Sequence, residues 1–335
     1  MTTAPEQQAP QLSAVVVSPT SFDQIRKTVR HLREQDGADA LELVLVAVSE
    51  AALADARPHE LEGFARVVVV PVGPIPNVDK ASAAGVRAAT APAIAFVEDH
   101  AFPQPGFVRG LIAAHRADVG VVQPAVLNAN PRHPLSWCNL LLAYGAWTDP
   151  AKAGPVADCP GHNVSIKRDL LMAFGDSLES RLGRDGTLLA DLKAGGHPFV
   201  LDGTARTEHV NPSTVSSTVA LRFRAGRLYA FQRRTGERWP AWRRLAYVVL
   251  APLIPLVRLR RLVADHLTTG PYAPLRRRVL PSLSAVLVVD AAGQVAGIAG
   301  GTGDAVERLA TFEMDRAQHL RADDKGLMRD PVPLG

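Results

Sequence analysis

The sequence predicts an α/β fold: a mostly parallel sheet with helices on both faces, followed by a C-terminal helical extension associated with a membrane. Three observations predict it. Short β-branched apolar runs alternate with segments of helical spacing over the first 120 or so residues. Those runs are continuously apolar, the pattern of strands buried on both faces. Past residue 212 the composition changes to arginine, tryptophan and long aliphatic side chains.

The elements follow in order. Residues 1–11 are polar and proline-bearing, lack the apolar core of a signal peptide, and read as a disordered lead-in. Ser13–Val17 is a first strand, ended by Ser18-Pro19-Thr20. Ser21 and Gln24 have capping-box spacing ahead of a helix carried by Ile25, Val29 and Leu32. Leu41–Val48 and Val67–Val70 are the next strands, and Asp79–Thr90 is a small-residue helix with Ala81, Ala84 and Ala88 on one face. Ile94–Val97 is a fourth strand that runs straight into Glu98-Asp99-His100; Pro105–His115 is helical and Val119–Val122 is a fifth strand. Beyond it come a loop at Asn128–Pro134, an apolar helix at Leu135–Trp147, and Gly161-His162-Asn163 leading into a short strand and a helix from Arg168. Asp185 precedes a helix at Leu188–Ala194, Phe199–Leu201 is a late strand, and His209 follows another extended piece. The sheet domain therefore covers 12–212, a basic amphipathic segment 213–280, and a helical tail 281–335.

With 335 residues, 47% of them hydrophobic and 21% charged, the chain is long enough for a sizeable core, which excludes a wholly disordered or fibrous protein. Two cysteines, Cys138 and Cys159, cannot build a disulfide scaffold or a four-thiolate zinc site; they read as inert thiols in a reducing compartment. The net charge of +4 is unevenly spread. Residues 221–280 hold fourteen arginines against Glu237 and Asp265, a local +12 that leaves −8 for the rest. Such asymmetry calls for a polyanionic partner, nucleic acid or an anionic membrane. The arginines flank Leu245–Val257, 13 apolar residues with two prolines, entered through Trp239 and Trp242. That run is shorter than the roughly 20 residues that span a bilayer and too apolar for a nucleic-acid surface. It suits a helix lying in a membrane interface, so the expected partner is an anionic membrane surface and not nucleic acid. Ser282–Gly301 bears one charge, Asp290, and reads as a second interfacial or re-entrant piece; Gly300–Gly303 reads as a turn, since no Lys-Ser/Thr follows to make a phosphate loop.

In parallel α/β sheets, ligands bind beyond the carboxyl ends of the strands, and Glu98-Asp99-His100 lies at such an end. Carboxylates there need partners. A divalent cation bridging a diphosphate is one, with carboxylate and imidazole as protein ligands.

The ordered series Val15-Val16-Val17-Ser18-Pro19-Thr20, Ala81–Ala89 and Phe96-Val97-Glu98-Asp99-His100-Ala101-Phe102-Pro103-Gln104-Pro105-Gly106-Phe107 resembles the family 2 glycosyltransferases of the Rossmann-like GT-A fold, over roughly residues 12–212. In that family an acidic segment followed by Pro-x-Pro-Gly carries the metal motif. Gly161-His162-Asn163-Val164-Ser165 with Lys167-Arg168 is similar to the family's junction between donor and acceptor sites. Asp185 falls where the family has its catalytic acid. The resemblance implies a nucleotide-diphosphate sugar donor and a saccharide or lipid-linked acceptor at the cytoplasmic membrane face. It implies Asp185 as general base, with donor contacts from Pro19, Thr20, Lys80, Glu98, Asp99, Gly161, His162 and Asn163. A divalent cation, Mn2+ or Mg2+, would sit on Asp99, His100 and His209.

The sequence also departs from the family pattern. His100 replaces a third acid, Val46-Ala47-Val48-Ser49 lacks the aspartate that contacts the base, and Ala81–Gly85 lacks the family's Arg and Asn. Imidazole suits manganese better than magnesium. These departures keep open a non-catalytic nucleotide-binding or membrane scaffold on the same fold. A nicotinamide-dependent oxidoreductase is disfavoured, because the first strand–helix turn has no glycine fingerprint.

Overall fold

The computed structural model describes residues 9–183 and 186–329. Two units divide them, one made of the described residues of 9–129, 147–183, 186–210 and 326–329, the other of 130–146 and 211–325.

Among the described residues, the first unit holds all the strands: β1 (Leu12–Ser18), β2 (Leu41–Ala47), β3 (Arg66–Pro71), β4 (Ala93–Val97), β5 (Ala101–Pro103), β6 (Val121–Asn128), β7 (Gly154–Pro155), β8 (Ser165–Lys167) and β9 (Phe199–His209). They form one sheet in the order β3-β2-β1-β4-β8-β6-β9-β5, with β7 on β9. The first four strands are parallel. Strand β8 inverts the direction between β4 and β6, and β5 and β7 run antiparallel to β9. Every residue of β1 and β2 is buried, as their unbroken apolar sequences require of central strands covered on both faces. The helices Phe22–Arg33 and Phe107–His115 contribute Phe22, Ile25, Val29, Leu32, Phe107 and Leu111 to the core over this sheet. The helix Val78–Ala88 comes close to it at Gly85, where a Cβ would stand 2.6 Å from Val15 Cγ1 and 2.9 Å from Val46 Cγ2.

Two local expectations are corrected. Ser21 makes no capping bond with its side chain. The amino end of helix Phe22–Arg33 is capped from a distance by Asp55, which accepts from the Phe22 and Asp23 amides at 3.1 and 2.9 Å, and this releases Gln24 for another role. The late strand runs 11 residues, to His209, because Leu201, Ala205, Thr207 and His209 turn inward while Thr204 and Arg206 face solvent.

The second unit is helical. Val215–Gly236 and Arg276–Gly300 pack so closely that a Cβ on Gly293 or Gly297 would fall on the Phe223 or Arg227 carbonyl. Only glycine admits that approach. Residues 282–300 therefore belong to one continuous helix, Arg276–Gly300. By length and composition alone that helix could cross a membrane, yet 44% of its apolar stretch is buried within the unit. Its Asp290 is paired with Arg258 and accepts from Gln294 at 2.5 Å. The run Leu245–Val257 is broken near Pro252 into two helices, Ala241–Val249 and Leu253–Leu262. Burial pushes the thiols of Cys138 and Cys159 up to about 12, so both stay protonated and unreactive.

Candidate active site

Pairing brings the site together from residues far apart in sequence. Strand β4 ends at Val97, and the turn Glu98-Asp99-His100 carries the chain into β5. Strand β8 lies antiparallel to β4, with Ala95 opposite Ser165, and the Phe96 amide donates to the Val164 carbonyl at 2.9 Å. This sets Asn163 beside Glu98. Strand β9 lies antiparallel to β5 with His209 opposite Ala101, and the Val210 amide donates to the His100 carbonyl at 3.0 Å. This sets His209 beside His100.

Glu98 is the centre. Asn163 Nδ2 donates to its Oε2 at 2.6 Å, and the Glu98 amide donates back to Asn163 Oδ1 at 3.2 Å. Asn163 holds a left-handed backbone at φ 52, which asparagine tolerates better than most residues. The imidazole of His162 approaches Oε1 at 3.1 Å, and those of His209 and His100 approach Oε2 at 3.3 and 3.5 Å. Burial pushes the Glu98 carboxyl up, but the charges of His100 and His162 and hydrogen bonds from His162 and His209 outweigh it and hold the group well below its ordinary range. It is a carboxylate under all ordinary conditions.

Asp99 plays a different part. One oxygen lies 2.6 Å from His100 Nδ1 and the other accepts from Gln24 Nε2 at 2.6 Å. A carboxylate on one nitrogen of a histidine fixes the ring and its tautomer, leaving the opposite nitrogen to act as a ligand. Thr28 Oγ1, one turn beyond Gln24, donates to the Asp99 and Ala101 carbonyls at 3.1 Å each and pins the turn. Gln24 and Thr28 were missed in the sequence. Their i, i+4 spacing shows that they share a helix face, but nothing shows that this face meets residues 98–101.

The set of ligand atoms that lie within 4.8 Å of one another is therefore Glu98, His100 and His209, with Asp99 behind His100. Thr20 is linked to it, since its hydroxyl donates to Gln24 Oε1 at 2.7 Å; Pro19 is buried beside it in the chain. Gly161, at φ 80, and His162 enter from the loop before β8. Lys80 lies in the first turn of helix Val78–Ala88, which is capped by Asn77. Asp185 lies outside the described residues.

No protein-family model matches the chain, and no curated protein matches it. Among solved structures it is similar to the mannosyltransferase PcManGT from Pyrobaculum calidifontis in complex with GDP-Man and Mn2+. The two are 17% identical, with a TM-score of 0.53 over 88% of this chain and 90% of that one. The fold is a glycosyltransferase fold. A mycobacterial protein is 17% identical with a TM-score of 0.42, over 67% of this chain and 74% of its own.

Proposed function

We propose that the chain transfers a sugar from a nucleotide-diphosphate donor to a hydroxyl of a saccharide or lipid-linked acceptor, with inversion at the anomeric carbon. The observation that carries this reading is the cluster Glu98, His100 and His209 at the carboxyl end of β4 in a glycosyltransferase fold. These residues fit a divalent cation. With His100 Nδ1 given to Asp99, its Nε2 faces a Glu98 oxygen across 3.5 Å, two acceptors that only a proton or a cation between them makes favourable. One carboxylate and two imidazoles suit Mn2+ better than Mg2+. Bound there, such an ion would supply positive charge to a departing nucleoside diphosphate.

The chain's own residues do the rest. Asn163 and His162 hold the Glu98 carboxylate, while Asp99 and Gln24 hold the His100 ring. Pro19 and Thr20 line the nucleoside end of the donor site, and Lys80 and Gly161 add donor contacts. Asp185 takes the acceptor's hydroxyl proton as that oxygen attacks the anomeric carbon and the bond to the diphosphate breaks. Its assignment rests on its place ahead of helix Leu188–Ala194.

The protein works at the cytoplasmic face of a membrane, peripherally attached. What supports this is the helix pair Ala241–Val249 and Leu253–Leu262, which exposes Trp242 (71%), Leu245 (67%), Val249 (66%) and Leu256 (62%) among arginines.

Release of nucleoside diphosphate is the test, with Mn2+, a membrane-lipid extract as acceptor source and a panel of nucleotide sugars led by GDP-mannose, the donor held by the structural neighbour. Turnover is expected with one donor, and Asp185→Asn should lower it by about 10²-fold or more. A chain that binds nucleotide and never releases diphosphate is the scaffold, not the transferase.

A further inference from the structure

A second group of ligating side chains lies in the helical unit, apart from the site above. His133 closes the loop ahead of helix Pro134–Ala143, and Asp323 and Asp324 lie in the turn before Lys325–Met328. One ring nitrogen of His133 and one carboxylate oxygen from each aspartate lie within 4.8 Å of one another. His133 Nε2 is 2.8 Å from Asp323 Oδ2, and Arg321 Nε stands 3.8 Å from the other Asp323 oxygen. Asp324 is fully buried at 0% exposure. Asn130 Nδ2 donates to its Oδ2 at 3.0 Å, but Oδ1 is buried with no hydrogen-bond partner. Leaving a carboxylate oxygen out of water with nothing to bind is costly. The remaining polar groups of that pocket are already committed, since Asn130 Oδ1 accepts from Ser136 Oγ at 2.7 Å and from the Asn211 amide at 2.9 Å.

We propose that His133, Asp323 and Asp324 form a second divalent-cation site, of the zinc type, that ties the 321–325 turn to the start of helix Pro134–Ala143. The orphaned Asp324 oxygen is the observation that separates this group from an ordinary acidic turn, because a cation satisfies it and no side chain does. One imidazole and two carboxylates are a zinc donor set, at about 2.0–2.2 Å from the ion, with water in the fourth position. Asp323 is exposed, so an ion enters and a water stays. Ligands on a tetrahedral ion stand about 3.4 Å apart, so on binding His133 and Asp323, now 2.8 Å apart, open slightly, while any separation near 4.8 Å closes. The ion closes a chain segment of some 190 residues between His133 and Asp323, where a cross-link removes much freedom from the unfolded chain.

Zinc bound after equilibrium dialysis of the full chain, counted by elemental analysis, tests this together with the thermal midpoint. His133→Gln and, separately, Asp324→Asn are expected to bind one zinc fewer per chain than the wild type. Zinc should raise the wild-type midpoint more than theirs. Asp324→Asn alters a buried group and is the variant at risk in folding, whereas His133→Gln changes a partly exposed side chain and carries the test by itself. Equal zinc content in the wild type and His133→Gln overturns the site. The outcome does not depend on the transferase reading: if residues 98, 100 and 209 hold no zinc, the wild type binds one and His133→Gln none.

Discussion

Two acids at opposite ends of the parallel strands differ in what surrounds them. Glu42, at the amino end of β2, is fully buried, and it accepts from Ser13, Arg66, the Thr90 amide and the Thr90 hydroxyl. Burial pushes its carboxyl up, but these donors more than offset it and lower it. Every lone pair is used, so Glu42 is structural. Glu98 is ringed instead by imidazoles, which release or bind a metal where hydroxyls and amides do not. His115 behaves differently again. Burial pushes it down to about 4, and its Nε2 lies 2.9 Å from Ser165 Oγ. Folded, it stays neutral below the point near 6.5 where the unfolded chain takes up a proton. Stability is therefore lost as pH falls from about 6.5 toward 4 and is untouched above that window. Unfolding midpoints at pH 7.5 and 5 should fall less in His115→Gln than in the wild type; equal falls would contradict this. In the sequence His115 is a lone histidine at a helix end, with no sign of its burial.

Among the elements, those with a period of their own were legible. The four parallel strands and the helices Val78–Ala88, Phe107–His115 and Leu188–Ala194 follow from continuous or helix-spaced apolar positions. Strands β5 and β7, of three and two residues, carry no period and exist because β9 pairs with them, whereas β8 is legible as a short strand but not in its antiparallel place between β4 and β6. The capping box at Ser21 was legible and misleading, since Asp55, 33 residues from Phe22, does the capping instead. The helix pair at 241–262 exposes Trp242 and Leu245, the side chains on which the proposed membrane attachment rests. Fully burying one large aliphatic side chain contributes about 1.5–3 kcal/mol. Leu245→Asp should thus weaken binding to anionic vesicles by roughly tenfold or more, measured by co-sedimentation. Added salt should weaken the wild type further through its arginines. Unchanged sedimentation in Leu245→Asp would remove the membrane from the account.

For the whole molecule, the sequence places Glu98-Asp99-His100 at a strand end but cannot bring Asn163 or His209 to it. Those approaches depend on β8 inserted antiparallel between β4 and β6, and on β5 pairing antiparallel with β9, long-range pairings no local signal specifies. Nor does the order of the triplet show that Asp99 turns back on His100 while Glu98 faces the two histidines. The proposed transfer requires this cluster to bind a nucleoside diphosphate through a divalent cation. It is tested most directly by calorimetric titration of GDP, UDP, TDP and CDP into the wild type and His209→Gln, each with Mn2+ or EDTA. One nucleotide should bind the wild type in Mn2+, and EDTA or His209→Gln should weaken it about tenfold or more, at least ~1.4 kcal/mol. Equal affinity in Mn2+ and EDTA, unaffected by His209→Gln, or no binding of any of the four, would contradict it.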